Sequence, residues 1–81
     1  MKRIILYSTP TCVYCKMTRE LLNKNNVPYT DIDVLRDKRA RGAMVKLSHQ
    51  SGVPVVDIDG EIYVGFNRSE LSRALGIGDR V

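Results

Sequence analysis

Residues 4–15 read IILYSTPTCVYC, a short apolar run followed closely by two cysteines. The run Ile4–Tyr7 has the pattern of a strand that is covered on both faces. From Val13 to about Asn25, apolar residues recur at helical spacing. The predicted core-facing residues of this helix are Val13, Met17, Leu21 and Leu22. The stretch therefore predicts a strand, a corner that carries the cysteines, and a helix that begins at Cys12 or Val13.

A second strand and a second helix are predicted next. Thr30, Ile32 and Val34 occupy alternate positions, which is the pattern of a half-buried strand. The second helix should begin near Asp37, because an aspartate side chain can cap the first turn. Apolar residues at i, i+3, i+4 and i+7 predict its core-facing residues to be Ala40, Ala43, Met44 and Leu47.

The last third of the chain has the pattern of a hairpin and a closing helix. The β-rich runs Val53–Ile58 and Glu61–Val64 flank an Asp59-Gly60 pair, which favours a type I′ turn because glycine accepts a positive φ. Asn67 is a good N-cap for the closing helix. This helix has its predicted apolar stripe at Leu71, Ala74 and Leu75, and Gly76 ends it.

The predicted order of elements is β-α-β-α-β-β-α, which places the chain in the α/β class. The first half must be a parallel βαβ unit, whereas the hairpin makes the last two strands antiparallel. We therefore expect a four-stranded mixed sheet flanked by three helices. A chain of 81 residues holds one small core, so residues 1–81 are predicted to form a single domain.

The composition, 43% hydrophobic and 27% charged, is that of an ordinary globular protein. No apolar run approaches the roughly 20 residues that span a bilayer, and the apolar start is too short for a signal peptide. The expected compartment is therefore the cytoplasm, with no membrane association. A lone cysteine pair there is more often catalytic or metal-binding than structural, because the thiol pool keeps exposed cysteines reduced.

The formal net charge of +4 permits binding to nucleic acid or to acidic protein surfaces. Five of the 13 basic residues lie on or beside the second predicted helix, namely Arg36, Lys38, Arg39, Arg41 and Lys46. We interpret them as a solvated outer face. No aromatic residue lies between Tyr29 and Tyr63, so no nucleic-acid partner is expected. A small monomer is the simplest expectation for the oligomeric state.

The position of the cysteines favours redox chemistry. If the first helix begins at Cys12 or Val13, the Cys12 sulfur lies against unpaired N–H groups at the positive end of the helix dipole, which favours the thiolate. Lys16 adds a nearby positive charge. Cys15 lies within reach but is more shielded by the helix, which suits a resolving thiol. Cys12 is therefore predicted to attack a substrate disulfide, and Cys15 to displace the substrate and form an internal disulfide.

Two alternatives to this interpretation stay open. Structural zinc requires four Cys or His ligands, and beyond the cysteine pair the chain offers only His49, which we expect to be a polar residue near the end of the second helix. An iron-sulfur cluster would need cysteines from two chains. The alternative function is thus a redox-inactive or metal-bridged binding module, although a Cys-x-x-Cys beside a βαβ pattern is typical of a thioredoxin-like redox motif.

Cys12-Val13-Tyr14-Cys15, Val53-Pro54 and Gly65-Phe66 resemble, in order and spacing, the glutaredoxin family over nearly the whole chain. The resemblance implies a thioredoxin-like fold with no tightly bound cofactor. It also implies that Pro54 is cis and packs beside the cysteines, and that the backbone of Val53 hydrogen-bonds the bound thiol peptide. The expected substrate-binding residues are Tyr14, Val53, Pro54, Gly65, Phe66, Asn67 and Arg68. The expected supporting residues are Pro10, Thr11 and Lys16.

The resemblance also bears on the electron donor. Glutathione-dependent members usually have a basic residue three positions before the first cysteine, a threonine before Val-Pro, and Gly-Gly followed by an acidic pair. The corresponding residues here are Thr9, Gly52 and the segment 65–68. The Gly-Phe variant is similar to redoxins that receive electrons from thioredoxin reductase. We therefore expect thioredoxin reductase with NADPH to be a faster electron donor than glutathione. The expected partners are disulfide-containing proteins, which the protein would reduce in electron transport and cell redox homeostasis. A glutathione carboxylate could still bind the N-terminus of the last helix near Asn67, with charge from Arg68.

Overall fold

The computed structural model describes residues 3–77, and within them the predicted order of elements is confirmed. The elements are β1 (Ile4–Ser8), α1 (Val13–Lys24), β2 (Thr30–Asp33), α2 (Lys38–Ser48), β3 (Val55–Ile58), β4 (Glu61–Val64) and α3 (Arg68–Leu75). The predicted single domain, residues 1–81, extends at both ends outside the described residues and stays a prediction. Among the described residues, none of the helices combines the length and the apolar character needed to cross a membrane.

The four strands form one mixed sheet in the order β2-β1-β3-β4. β1 pairs with β2 in parallel and with β3 in antiparallel, and β4 pairs with β3 in antiparallel. The hairpin turn has positive φ at both Asp59 (+50°) and Gly60 (+93°), as the predicted type I′ turn requires. This order makes β1 and β3 the central strands, so the segments next to them meet at the middle of the sheet.

Each face of the sheet has its own core, because successive side chains of a strand point to opposite faces. On one face, Leu6 of β1 and Val56 of β3 pack with residues of α1 and α3. On the other face, Tyr7 of β1 and Val55 of β3 pack with Met44 of α2. The prediction that β1 is covered on both faces is confirmed.

The apolar stripe predicted for α1 is half wrong. Leu21 and Leu22 are buried, but Val13 is 69% exposed and Met17 39% exposed. Cys15 and Thr18 are buried in their place. Thr18 can be buried because its hydroxyl donates to the carbonyl oxygen of Tyr14 at 2.8 Å. The small side chains of Cys15 and Thr18 therefore occupy the face of α1 that lies on the sheet.

The stripe predicted for α2 is also too wide. Met44 is fully buried and Ala40 is half-buried, whereas Ala43 and Leu47 are exposed. The row that packs on the sheet is Ala40, Met44 and Ser48, spaced four residues apart. Leu47 and Ala43 flank this row on the solvent side, since α2 contacts the sheet along one narrow line.

The helix termini agree with the predicted caps. Asp37 Oδ1 accepts the N–H of Ala40 at 2.9 Å, and Asn67 Oδ1 accepts the N–H of Glu70 at 3.2 Å. His49 is the left-handed C-cap of α2, which confirms its expected place at the end of that helix. Gly76 is the left-handed C-cap of α3. These four residues account for the ends of α2 and the two ends of α3.

The strand predicted at Val53–Ile58 begins two residues later, at Val55. Pro54 has no N–H to donate to a ladder, which is why the regular pairing starts after it. Val53 and Pro54 instead form a short connection that ends at the central strand β3. This connection brings them to the same edge of the sheet as the corner between β1 and α1.

Candidate active site

Cys12 is the N-cap residue of α1, with extended backbone angles of φ −84° and ψ 120°. Its sulfur accepts the backbone N–H of Cys15 at 3.2 Å, and its carbonyl oxygen accepts the N–H of Lys16 at 3.1 Å. A cysteine thus occupies the position at which serine, threonine or aspartate usually caps a helix. The Cys12 sulfur thereby lies at the positive end of the helix dipole.

The pKa of the Cys12 thiol is lowered from its ordinary value. Burial opposes this shift and is the largest single influence, but it is outweighed by hydrogen bonds from the Cys15 side chain and from the backbone at Cys15 and Tyr14. The positive charge of Arg19 acts in the same direction. Because the thiolate is the reactive form, Cys12 is the more nucleophilic of the two cysteines.

Cys15 lies in the first turn of α1 and is fully buried. Burial, the hydrogen bond with the Cys12 side chain and the charge of Cys12 together raise the pKa of Cys15 to about 11. A backbone hydrogen bond with Thr9 and the charge of Arg19 act against this rise. The pair therefore holds one partly exposed sulfur with a lowered pKa and one buried thiol that keeps its proton at neutral pH.

The Val53–Pro54 connection faces the cysteine corner. Its peptide bond is cis, as the resemblance implies, and the Val53 carbonyl oxygen lies 3.9 Å from Cys12 Sγ. Gly65 donates its N–H to the Pro54 carbonyl oxygen at 2.8 Å and adopts a left-handed φ of +77°. The Val53–Pro54 connection thus contacts the Cys12 sulfur on one side and Gly65 on the other.

Three exposed apolar side chains follow Cys12 in the first turns of α1. Val13 and Tyr14 are 69% and 59% exposed, and Met17 one turn later is 39% exposed. Pro10, Thr11 and Lys16, which were expected to support the cysteine pair, are also exposed beside it. We name the three side chains Val13, Tyr14 and Met17 the apolar rim.

The remaining predicted site residues lie at the start of α3. Phe66 and Arg68 line a groove of about 230 Å³ whose other wall includes Met17 and Leu21 of α1. Phe66 is half-buried and packs against the core shared by α1 and α3. Asn67 caps α3. Phe66 and Arg68 therefore belong to a groove next to the apolar rim, and Asn67 has a structural role in the helix.

A polar cluster that no sequence pattern predicted lies next to the cysteine corner. We call it the Arg19 cluster, and it consists of Ser8, Thr9, Arg19 and Asp31. Arg19 Nε donates to Asp31 Oδ2 at 2.7 Å, and Arg19 Nη2 donates to Ser8 Oγ at 3.0 Å and to the Thr9 carbonyl at 3.1 Å. The Ser8 hydroxyl donates to Asp31 Oδ1 at 2.6 Å. The usable signal was the i, i+4 spacing of Cys15 and Arg19 together with an acidic residue on the neighbouring parallel strand.

Within residues 3–77, no group of three or more His, Cys, Asp and Glu side chains is arranged to hold a metal ion. Both cysteines are unpaired thiols in this structure. The geometry around Cys12 is therefore that of a reduced dithiol at a helix N-terminus.

Comparison with known proteins agrees with this geometry. The family model described as Glutaredoxin matches residues 4–63. An uncharacterised glutaredoxin-like 8.6 kDa protein in the rubredoxin operon of Clostridium pasteurianum is 49% identical over 72 residues, which cover 89% of this chain and 96% of that protein.

Solved structures are similar over most of the chain. A mutant of a thioredoxin-like protein superposes with a TM-score of 0.90 at 37% identity, covering 96% of this chain and 100% of that one. The glutaredoxin-like NrdH-redoxin of Escherichia coli, a protein with a thioredoxin-like activity profile, superposes with a TM-score of 0.79 at 25% identity, covering 88% of this chain and 92% of that one. The predicted thioredoxin-like fold is thereby confirmed. Since the family model also spans β1 to β4 and includes both cysteines, this chain belongs to the glutaredoxin family.

Proposed function

We propose that this protein reduces disulfides by a dithiol mechanism in which Cys12 attacks and Cys15 resolves. Membership of the glutaredoxin family supports the general class, a thiol-disulfide oxidoreductase. The observation that carries the mechanism is the difference between the two thiols. Cys12 is partly exposed with a lowered pKa, whereas Cys15 is fully buried with a pKa raised to about 11.

The first step forms a mixed disulfide. The Cys12 thiolate attacks one sulfur of the substrate disulfide, the substrate S–S bond breaks, and the second substrate sulfur leaves as a thiolate that takes a proton from solvent. The apolar rim and the Val53 backbone lie beside Cys12 Sγ, so an extended chain around the substrate disulfide can bind there.

The second step releases the substrate. Cys15 gives its proton to solvent and attacks Cys12 Sγ, and the bond between Cys12 and the substrate breaks. The remaining substrate sulfur leaves as a thiolate that takes a proton from solvent. The substrate has then gained two electrons, and the protein has lost two as an internal Cys12–Cys15 disulfide. The step is fast because both sulfurs are held on the first turn of one helix.

The mechanism predicts that Cys15→Ser accumulates a mixed disulfide on Cys12, since the resolving thiol is gone and serine keeps the polar contact. Mass spectrometry of the variant after incubation with a disulfide-bonded peptide should show one peptide bound per chain. Cys12→Ser is the matched control and should bind none. If Cys15→Ser bound no peptide while the wild type turned the peptide over, Cys12 would not be the attacking residue.

We further propose that the oxidised protein is reduced faster by thioredoxin reductase than by glutathione. Thr9 offers no charge where glutathione users usually have a basic residue, and Phe66 occupies space next to the start of α3. The similarity to the Escherichia coli NrdH-redoxin, with its thioredoxin-like activity profile, supports the same donor. The proposed partners are disulfide-containing proteins. The proposed compartment is the cytoplasm, whose thiol pool would keep a partly exposed cysteine such as Cys12 reduced.

The donor is tested by reducing the Cys12–Cys15 disulfide with two systems at equal NADPH. One contains thioredoxin reductase and the other contains glutathione with glutathione reductase, and NADPH oxidation is followed in both. We expect the first system to be at least about tenfold faster, equivalent to a difference of about 1.4 kcal/mol in activation free energy. A faster reaction with glutathione would contradict the proposed donor but would leave the dithiol mechanism standing.

A further inference from the structure

The Arg19 cluster connects α1 to the corner that carries the cysteines. Arg19 Nη2 donates both to the Ser8 hydroxyl at 3.0 Å and to the Thr9 carbonyl at 3.1 Å. These two acceptors lie on either side of the Thr9 N–H, and Thr9 makes a backbone hydrogen bond to the Cys15 thiol. This guanidinium group, together with the Val34 N–H that donates to the Ser8 carbonyl oxygen at 3.0 Å, holds in place the segment whose Thr9 N–H contacts the resolving sulfur.

Asp31 fixes the guanidinium group from the other side. Its Oδ2 accepts from Arg19 Nε at 2.7 Å, and its Oδ1 accepts from the Ser8 hydroxyl at 2.6 Å. The ion pair is partly shielded, with exposed side-chain fractions of 24% for Arg19 and 34% for Asp31. Because the guanidinium group is planar and its donors are rigidly arranged, several simultaneous hydrogen bonds restrict it far more than they would restrict a lysine.

In the second step of the proposed reaction, the Cys15 thiol has to ionise while it is buried. In the reduced protein, the Cys12 thiolate accepts a hydrogen bond from Cys15 and opposes its ionisation. Once Cys12 is part of a mixed disulfide, that charge is gone. What remains to offset the burial of the Cys15 thiolate is the Thr9 N–H and the positive charge of Arg19.

We infer that Arg19, oriented by Asp31, is a positioning residue for resolution: it holds Ser8 and Thr9 so that the Thr9 N–H stabilises the Cys15 thiolate as it attacks Cys12. The inference rests on the proposed dithiol mechanism. Arg19 does not touch the substrate in this scheme and acts through the corner between β1 and α1. The titratable groups that act on Cys15 are Cys12 and Arg19, which lies on the same helix. Arg19 is in turn paired with Asp31 on β2, and Tyr29 before β2 also faces it.

The two steps can be observed separately with dithiobis(nitrobenzoate), a disulfide that releases a yellow thiolate at each step. Reduced protein is mixed with one equivalent in a stopped-flow instrument across a range of pH. The first release reports attack by Cys12, and the second reports resolution by Cys15. The test variants are Arg19→Met, Arg19→Lys and Asp31→Asn. Lys24→Met is the control for the loss of one positive charge, because Lys24 lies in the last turn of the same helix.

For Arg19→Met we expect the second release to slow by about tenfold at neutral pH, which is the effect of losing one charge-assisted hydrogen bond. We also expect the rate of the second release to rise at a higher pH than in the wild type. The first release should change by less than about threefold, since Arg19 is the last of the influences on Cys12. Arg19→Lys should recover only part of the loss, and Asp31→Asn should slow the second release by a smaller factor. Lys24→Met should leave both releases as in the wild type.

Three outcomes would overturn the inference. They are an unchanged second release in Arg19→Met, an equal slowing of both releases, and full recovery in Arg19→Lys, which would assign the effect to charge alone. If Arg19→Met does not fold, Arg19→Lys and Asp31→Asn decide the matter by the same comparison of the two releases. Absence of any second release from the wild type would instead contradict the proposed dithiol mechanism.

Discussion

At Cys12 the sulfur atom accepts the N–H of Cys15, whereas the Cys15 sulfur is enclosed by the helix and the sheet. Two identical side chains three residues apart thereby acquire opposite pKa shifts. The exposed one is favoured as a thiolate by donors at the helix N-terminus, and the buried one is kept protonated by burial and by its charged neighbour. This difference supports the proposed roles of Cys12 as the attacking thiol and Cys15 as the resolving thiol.

The lowered pKa of Cys12 predicts a pH-dependent alkylation rate. The thiolate is lost as the pH falls through the lowered pKa, so the iodoacetamide rate should rise to its plateau at a lower pH than for an ordinary cysteine. The Cys15 side chain is the strongest of the groups that lower this pKa. Cys15→Ala should therefore move the profile to higher pH and slow alkylation at neutral pH by about three- to tenfold, the effect of one lost hydrogen bond.

Cys15→Ser is the matched control for this experiment, because its hydroxyl can still donate to Cys12. Its alkylation profile should stay closer to that of the wild type, measured on Cys12 by mass spectrometry at each pH. If the alanine and serine variants gave the same profile, the side-chain hydrogen bond would not contribute to the reactivity of Cys12.

At the level of elements, the helices and their caps follow from the sequence, and so does the buried stripe of α3 at Leu71, Ala74 and Leu75. The buried faces of α1 and α2 do not. Periodicity placed Val13 and Met17 in the core, yet they form the apolar rim, and the small residues Cys15 and Thr18 lie on the sheet. A period of 3.6 residues allows neighbouring stripes that are about equally apolar. Which stripe is buried depends on how closely the helix approaches the sheet. That distance is set by the side chains of both the helix and the sheet, so the helix sequence alone does not determine it.

The cap of α2 gives a prediction at this scale. Asp37 accepts the N–H of Ala40 at 2.9 Å and is exposed, far from the buried side chains of the core. Asp37→Ala should lower the free energy of unfolding by about 1 kcal/mol, because one N–H of the first turn loses its partner and a favourable charge leaves the helix N-terminus. Urea denaturation followed by circular dichroism measures the change.

Asp37→Ser serves as the control, since serine caps nearly as well as aspartate. It should retain most of the stability of the wild type, and neither variant should alter the reaction of Cys12 with a disulfide. A loss in Asp37→Ser as large as in Asp37→Ala would mean that the side-chain cap does not stabilise α2.

At the scale of the whole molecule, the sheet order brings the site together. The cysteine corner follows β1 and the Val53–Pro54 connection precedes β3, and these strands are central neighbours. The motifs and their family resemblance predicted this convergence. The Arg19 cluster was not predictable to the same degree, because it depends on β2 lying beside β1. Asp31 is the register partner of Leu6, and its side chain reaches the Ser8 hydroxyl two residues further along β1. No single local pattern contains all members of the cluster.

The two cores on opposite faces lead to the last prediction. Met44 is fully buried against Tyr7, Val34 and Val55. Leu47 belongs to the same predicted apolar stripe of α2, but its side chain is 42% exposed. Met44→Ala should cost about 2–5 kcal/mol of unfolding free energy, through lost burial and the cavity left behind. That is a large part of the roughly 5–15 kcal/mol typical of a small domain. Leu47→Ala should cost at most about 1 kcal/mol.

Urea denaturation of both variants distinguishes the observed packing of α2 from the wider stripe that the sequence predicts. Equal losses for Met44→Ala and Leu47→Ala would mean that α2 packs on the sheet with both rows, as periodicity alone indicates. A large loss for Met44→Ala alone would agree with a single row of contact. This core also contains Tyr7 of β1, the strand before the cysteine corner, and Val55 of β3, the strand after the Val53–Pro54 connection. The Met44 variant should therefore lose disulfide reduction at the same urea concentration at which α2 unfolds.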